Sequence, residues 1–203
     1  MIRPFEYQLI VEPEHSPSYL EQVRFACEHG VPCVLLRVKN QPYTRCLQYA
    51  KELVTLCREH GTLLLINDNV RIAKDIGADG VHLGSLDMSP YQARAILGSQ
   101  AVIGLSVQSK VELAAALSHG IDYLRFSAVS AKDKDTVIEL VREVGELEAQ
   151  ISVLLRIEGQ EIMQELIDLS FHGVAITGIL EDSEYSEEKF LGLLDRYQKI
   201  LGL

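Results

Sequence analysis

Residues 63–87 read LLLINDNVRIAKDIGADGVHLGSLD. The apolar run Leu63 to Ile66 stops abruptly at Asn67-Asp68-Asn69. Residues Val70 to Ile76 have helical character, Gly77-Ala78-Asp79-Gly80 breaks it, and a second apolar run, Val81 to Leu83, leads on to Asp87. Two buried-type strands joined by a helix make a βαβ unit with parallel strands. Each strand places an acid just beyond its C-terminal end. In a parallel sheet those ends lie side by side, so Asp68 and Asp87 are expected to converge on one cation. A hard cation held by two carboxylates commonly serves phosphate or pyrophosphate chemistry. Each acid also has a plainer use as a helix N-cap, Asp68 before Val70 and Asp87 before the next helix.

The same rhythm extends in both directions. Strands are predicted at Tyr7–Val11, Val34–Val38, Leu63–Ile66, Gly80–Leu83, Ala101–Val107, Asp122–Phe126, Ser152–Arg156 and Gly173–Ile176. Helices are predicted at Pro17–His29, Tyr43–His60, Val70–Ile76, Pro90–Leu97, Lys110–Ser118, Thr136–Glu148, Gln160–Leu169 and Ser186–Ile200. No linker or composition break interrupts them, so residues 1–203 are read as a single domain. Eight βα units predict an α/β fold of the (β/α)8 TIM-barrel type. An open doubly wound sheet usually carries a Gly-rich first crossover, whereas the first turn here reads EPEHSP. In a barrel, functional side chains belong at the strand C-terminal ends.

Composition narrows the partners. Of the 203 residues 47% are hydrophobic, enough for one well-filled domain, and the net charge of −10 lacks the basic stripe that nucleic acid requires. The four cysteines, Cys27, Cys33, Cys46 and Cys57, form no CxxC pair and read as reduced thiols on buried faces. The N-terminus does not resemble a signal peptide, and no apolar run reaches the roughly 20 residues that span a bilayer. A cytoplasmic protein is expected, with small phosphorylated or pyrophosphorylated ligands, no nucleic acid and no membrane. Nothing in the sequence specifies an oligomeric state.

The strand ends supply a short roster. Arg37 and Lys39 alternate on the second strand and so share a face, which suits a phosphate or pyrophosphate, although a solvated charge pair would have the same spacing. The third strand gives Asn67 and Asp68, and the fourth leads to Asp87. His82 lies within the fourth strand, where a hydrogen-bonded core histidine is favoured over a ligand. The fifth strand ends in Ser106-Val107-Gln108. The sixth runs into SAVSAKDKD, Ser127 to Asp135, expected as a polar loop. The seventh ends in Arg156-Ile157-Glu158-Gly159, and the eighth in Thr177-Gly178, where backbone N–H groups could cradle a phosphate.

These strand ends, in this order, resemble the thiamin phosphate synthase family, which includes the TenI-type thiazole tautomerases. INDN and GADGVHLGSLD are similar to the family's IINDxxxLA and GADGVHLGQxD. GLSVQS, Gly104 to Ser109, resembles GxSxHS. Gly30-Val31 with LLRVK, Leu35 to Lys39, resembles GVxxVQLRxK, and GVAITGI, Gly173 to Ile179, resembles GVAVxSGI. The resemblance implies a (β/α)8 barrel that joins hydroxymethylpyrimidine pyrophosphate to thiazole phosphate with Mg2+ and releases pyrophosphate. A pyrimidine carbocation would precede attack by the thiazole nitrogen. It implies Asp68 and Asp87 as magnesium ligands, and Arg37, Lys39, Asn67 and Ser106 on the pyrophosphate side.

The chain departs from the pattern at Leu35, where the family has Gln, and at Gln108, where it has His. The latter weakens the tautomerase reading most, because Gln cannot titrate. SAVSAKDKD replaces GPVFPTxTK, so the family's loop lysine falls on Asp135 and the two threonines on Lys132 and Lys134. LRIEG, Leu155 to Gly159, replaces AIGGI, which puts Ile157 and Glu158 where a glycine pair lets backbone approach a phosphate. The pyrophosphate half of the site is kept and the thiazole-phosphate half is rewritten. A synthase is the leading reading. The alternatives are a paralogue acting on another phosphorylated compound, a non-catalytic binding member, and a phosphosugar barrel enzyme, for which no acid/base set is evident.

Overall fold

A computed structural model describes residues 6–15, 18–128, 131–146, 151–157, 169, 171–176 and 187–201; within these, the side chains of residues 128, 131–133, 157, 189, 197, 200 and 201 are left aside. Eight parallel strands, β1 (Tyr7–Val11), β2 (Cys33–Leu36), β3 (Leu63–Asn67), β4 (Gly80–Leu83), β5 (Val102–Ser106), β6 (Tyr123–Ala128), β7 (Ser152–Ile157) and β8 (Gly173–Ile176), close in sequence order into a barrel. β8 returns to β1, with Tyr7 opposite Val174 and Leu9 opposite Ile176. Seven described α-helices accompany them, with a short 3-10 turn at Pro13–His15: α1 (Tyr19–Glu28), α2 (Tyr43–Glu59), α3 (Val70–Ile76), α4 (Pro90–Leu97), α5 (Lys110–Leu117), α6 (Ala131–Glu146) and α7 (Glu187–Leu201). This is the predicted (β/α)8 TIM barrel.

Strand alternation creates two cores. Outward side chains such as Leu9, Val34, Leu64, Val81 and Leu124 pack against the helices. Inward ones, Ile10, Cys33, Leu35, Leu65, Tyr123, Leu154 and Ala175, fill the barrel. Tyr123 spans the interior because β5 offers Gly104 beside it: a Cβ there would overlap the phenol ring. Helix ends follow local chemistry. Ser109 accepts from the Glu112 N–H at 3.3 Å, and the Glu112 carboxylate accepts from the Gln108 N–H at 2.7 Å, a capping exchange at the start of α5.

Several boundaries differ from expectation by one or two residues, β6 for instance running on to Ala128 rather than ending at Phe126, and three differences bear on the site. β2 ends at Leu36 rather than Val38; the Arg37 N–H still donates to Val11 O at 2.9 Å, and there the ladder stops. β7 runs one residue further, to Ile157. The polar segment expected as loop as far as Asp135 is helical from Ala131, five residues before the predicted start at Thr136. Alanine and lysine are good helix formers, and acids near an N-terminus favour the helix dipole, so AKDKD extends α6. The helix expected over Gln160–Leu169 falls, except for Leu169, outside the described residues. The thiols are all free and three are buried; Cys46 is only partly so. Among the described residues no helix is long and apolar enough to cross a membrane.

The N-terminal end of the barrel is latched by two acids. Asp79, just before β4, accepts from the Leu64 N–H of β3 at 2.8 Å. Asp122, just before β6, accepts from the Ile103 N–H of β5 at 2.7 Å and binds Arg94 at 2.8 Å. Each satisfies a strand-end donor opposite the functional face. Asp79→Ala and Asp122→Ala should each cost about 1–2 kcal/mol in urea titrations. Because they serve different strand pairs, the two losses should add to within about 0.5 kcal/mol.

Candidate active site

The C-terminal end of the barrel opens into a cavity of about 390 Å³. Asp68 and Asp87 both line it, together with Arg37 and Lys39 from the end of β2, Asn67 from β3, and Ser106 from β5. The pair inferred from residues 63–87 therefore meets. Neither acid is a helix cap. Asn69 takes that position for α3, its side chain accepting from the Ile72 N–H at 3.0 Å, and Ser89 does so for α4. Asp68 instead adopts a left-handed backbone, φ 65°, unusual for a residue with a side chain. Its N–H donates to His82 O at 2.8 Å, which ties the end of β3 to β4. Asp87 closes the turn after β4 by accepting from the Gly84 N–H at 2.6 Å.

The two carboxylates interact directly, and Asp68 is pushed up to about 6. Burial is the first cause, followed by the hydrogen bond to Asp87 and that group's charge; Lys39 and Arg37 pull the other way. Two acids that resist ionising together form a donor set that a hard cation would relieve. Among the described residues no group of three or more His, Cys, Asp or Glu is placed to hold a metal ion. A pair of carboxylates that leaves positions for water and phosphate oxygens suits magnesium rather than a closed metal cage. Arg37 is held by an ion pair with Glu12, a nearly buried residue just past β1.

Beneath the mouth lies a buried polar ring that the sequence reading missed. His82, 1% exposed, places Nδ1 at 2.8 Å from the Tyr123 hydroxyl and Nε2 at 2.8 Å from Ser106 Oγ. Gln8, fully buried, donates from Nε2 to the Tyr123 oxygen at 3.0 Å. Arg125 donates to Gln8 Oε1 at 3.4 Å and to Ser106 Oγ at 3.3 Å. Burial, then the charges of Arg125 and Arg156, hold His82 well below the usual imidazole range, which favours the neutral ring. Burial also draws Arg125 down to about 10. Its Nε has no hydrogen-bond partner among the described residues. His82 is thus a hydrogen-bonded core histidine, as expected. Gln8 in YQLIV and Arg125 in YLRFS carried a signal: a polar residue at an inward position of a buried strand.

The departures fall unevenly. Leu35 is completely buried in the inner core, one inward position below Arg37. Gln108 is exposed at the cavity wall. Lys134 and Asp135 stand on α6 and are not among the cavity-lining residues. Arg125 and Arg156 do line it, adding two guanidinium groups from β6 and β7. Thr177, Gly178 and Glu158 lie outside the described residues, as do the side chains of Lys132 and Ile157.

A family model described as thiamine monophosphate synthase matches residues 7–157. The chain belongs to the thiamine monophosphate synthase family. A thiamine-phosphate synthase of Clostridium perfringens is 33% identical over 186 residues, covering 87% of this chain and 89% of that protein. One of Prochlorococcus marinus is 38% identical over 125 residues, but that match spans 61% of this chain and only 36% of the longer relative. Among solved structures, thiamine phosphate pyrophosphorylase from Pyrococcus furiosus superposes with a TM-score of 0.82 at 27% identity, covering 98% of both chains.

The raised Asp68 sets a pH signature. Its folded value, about 6, exceeds the ordinary 3.8, so between those values the folded state binds more protons than the unfolded one. Without divalent cations, this carboxyl lowers stability as pH rises from about 4 to about 6. Asp68→Asn should abolish that component in denaturant midpoints recorded with EDTA across this window. Added Mg2+ should stabilise the parent protein above pH 6 and leave Asp68→Asn unchanged.

Proposed function

We propose that this member of the thiamine monophosphate synthase family condenses hydroxymethylpyrimidine pyrophosphate with thiazole phosphate, releasing pyrophosphate and forming thiamin phosphate, with Mg2+ held by Asp68 and Asp87. The observation that carries this reading is the meeting of that acid pair with Arg37 and Lys39 around one cavity. A pyrophosphate departs readily only if its growing negative charge is met by fixed positive charge and donors. Arg37, oriented by Glu12, and Lys39 supply charge on one wall, while Asn67 and Ser106 supply hydrogen bonds from the floor. The bound cation would supply further neutralisation of the leaving group. Free, largely buried thiols are in keeping with a cytoplasmic setting.

A second reading, a paralogue acting on another phosphorylated compound, is favoured by Arg125 and Arg156 in the cavity and by apolar Leu35 below it. Incubation of the purified protein with both thiamin precursors and Mg2+ decides between them. Thiamin phosphate should form, and Asp68→Asn and Asp87→Asn should each reduce kcat/KM by about a hundredfold or more. If no product appears beside an active control enzyme, and another phosphate ester raises the melting temperature more than either precursor does, the second reading replaces the first.

A further inference from the structure

The five groups under the cavity, Arg125, Gln8, Tyr123, His82 and Ser106, form a closed ring of hydrogen bonds. Four of them can be either donor or acceptor, or carry both in one group. Arg125 cannot: a guanidinium only donates. That single restriction orients the rest. The atom of Gln8 facing Arg125 must be its carbonyl oxygen, so its amide nitrogen faces Tyr123 and donates to the phenol oxygen. The hydroxyl hydrogen of Tyr123 is then directed at Nδ1 of His82, the acceptor 2.8 Å away. With Nδ1 accepting, the imidazole proton sits on Nε2 and points at Ser106 Oγ, 2.8 Å away. Ser106 Oγ also receives a bond from Arg125 at 3.3 Å. Its two acceptor positions are filled by protein, and its own hydrogen is left for the cavity it lines.

We propose that Arg125, acting through Gln8, Tyr123 and His82, is a positioning residue that locks Ser106 as an outward hydrogen-bond donor to an anionic oxygen of the ligand. The inference rests on the proposed function only for the identity of that anion, a pyrophosphate oxygen. It also assigns His82 a fixed role. With its proton already on Nε2, His82 cannot take the Ser106 proton, so this serine–histidine contact is not a nucleophile and its base. Two donors on one hydroxyl oxygen polarise the O–H and strengthen the bond it makes to an anion.

Nitrogen-15 NMR of the imidazole reads the direction of the ring without any activity. The parent protein should show His82 neutral and protonated at Nε2; a proton on Nδ1 overturns the proposal. Gln8→Glu is isosteric and presents only acceptors, so Tyr123 would donate to the introduced carboxylate instead. The ring should then reverse and His82 should shift to the Nδ1-protonated form, whereas an unchanged tautomer in this variant counts against the proposal. Calorimetry with magnesium pyrophosphate supplies the functional arm. Ser106→Ala should weaken binding about tenfold, and Tyr123→Phe about threefold in the parent background but not in Ser106→Ala. An equal loss in both backgrounds would show that Tyr123 does not act through Ser106. If the parent protein fails to bind magnesium pyrophosphate at all, the proposed function falls, while the tautomer measurements still decide the ring.

Discussion

Repulsion between Asp68 and Asp87 is the constraint around which the mouth of this barrel is organised. Two carboxylates in hydrogen-bonding contact resist ionising together, and burial of Asp68 makes its charged form harder still to sustain. The surrounding construction keeps them together regardless. Asp68 accepts a left-handed backbone, a conformation that costs about 1 kcal/mol or more outside glycine. Neighbours Asn69 and Ser89 take over the capping duties that acids at these positions could perform. Arg37 is brought close but shared with Glu12. A scaffold selected for stability alone would let Asp68 cap its helix and relax. The observed arrangement makes sense if a cation sits between the acids during function.

The barrel and its mouth are legible in the sequence because both depend on local pattern. Apolar runs of strand length, amphipathic helices and a regular period dictate βα units, and closure follows from eight of them. Asp68, Asp87, Arg37 and Lys39 stand out because each follows closely on a strand. The ring below does not, since its members come from strands far apart in the chain: Gln8 and Tyr123 are separated by 115 residues and meet only because the Tyr123 side chain reaches across the closed barrel. Gly104 illustrates the difficulty. In GLSVQS it passes for part of a motif, yet its role is to leave room for a phenol contributed by the next strand. Arg125 escapes notice because a charge in a short strand invites an outward assignment, and it points inward. The early start of α6 departs from expectation because polarity alone suggests loop, whereas alanine, lysine and N-terminal aspartate favour helix.

The mouth and the floor are electrically complementary, and this links what they bind. Without ligand, Asp68 is held above the usual carboxylate range and Arg125 below the usual guanidinium range, each chiefly by burial. The two lie near enough to influence one another, with Asp68 favouring the charged form of Arg125. A cation at the acids would relieve the first strain while withdrawing some of the negative field that stabilises the arginine. An anion in the same cavity would then restore it. Cation and anion should therefore bind with positive coupling, each raising affinity for the other by the same factor. A ligand that brings both, a metal-bound pyrophosphate, satisfies in one event the two groups that the fold leaves under tension. That coupling gives a physical reason for retaining a buried guanidinium inside the barrel, where a neutral side chain would fold at lower cost.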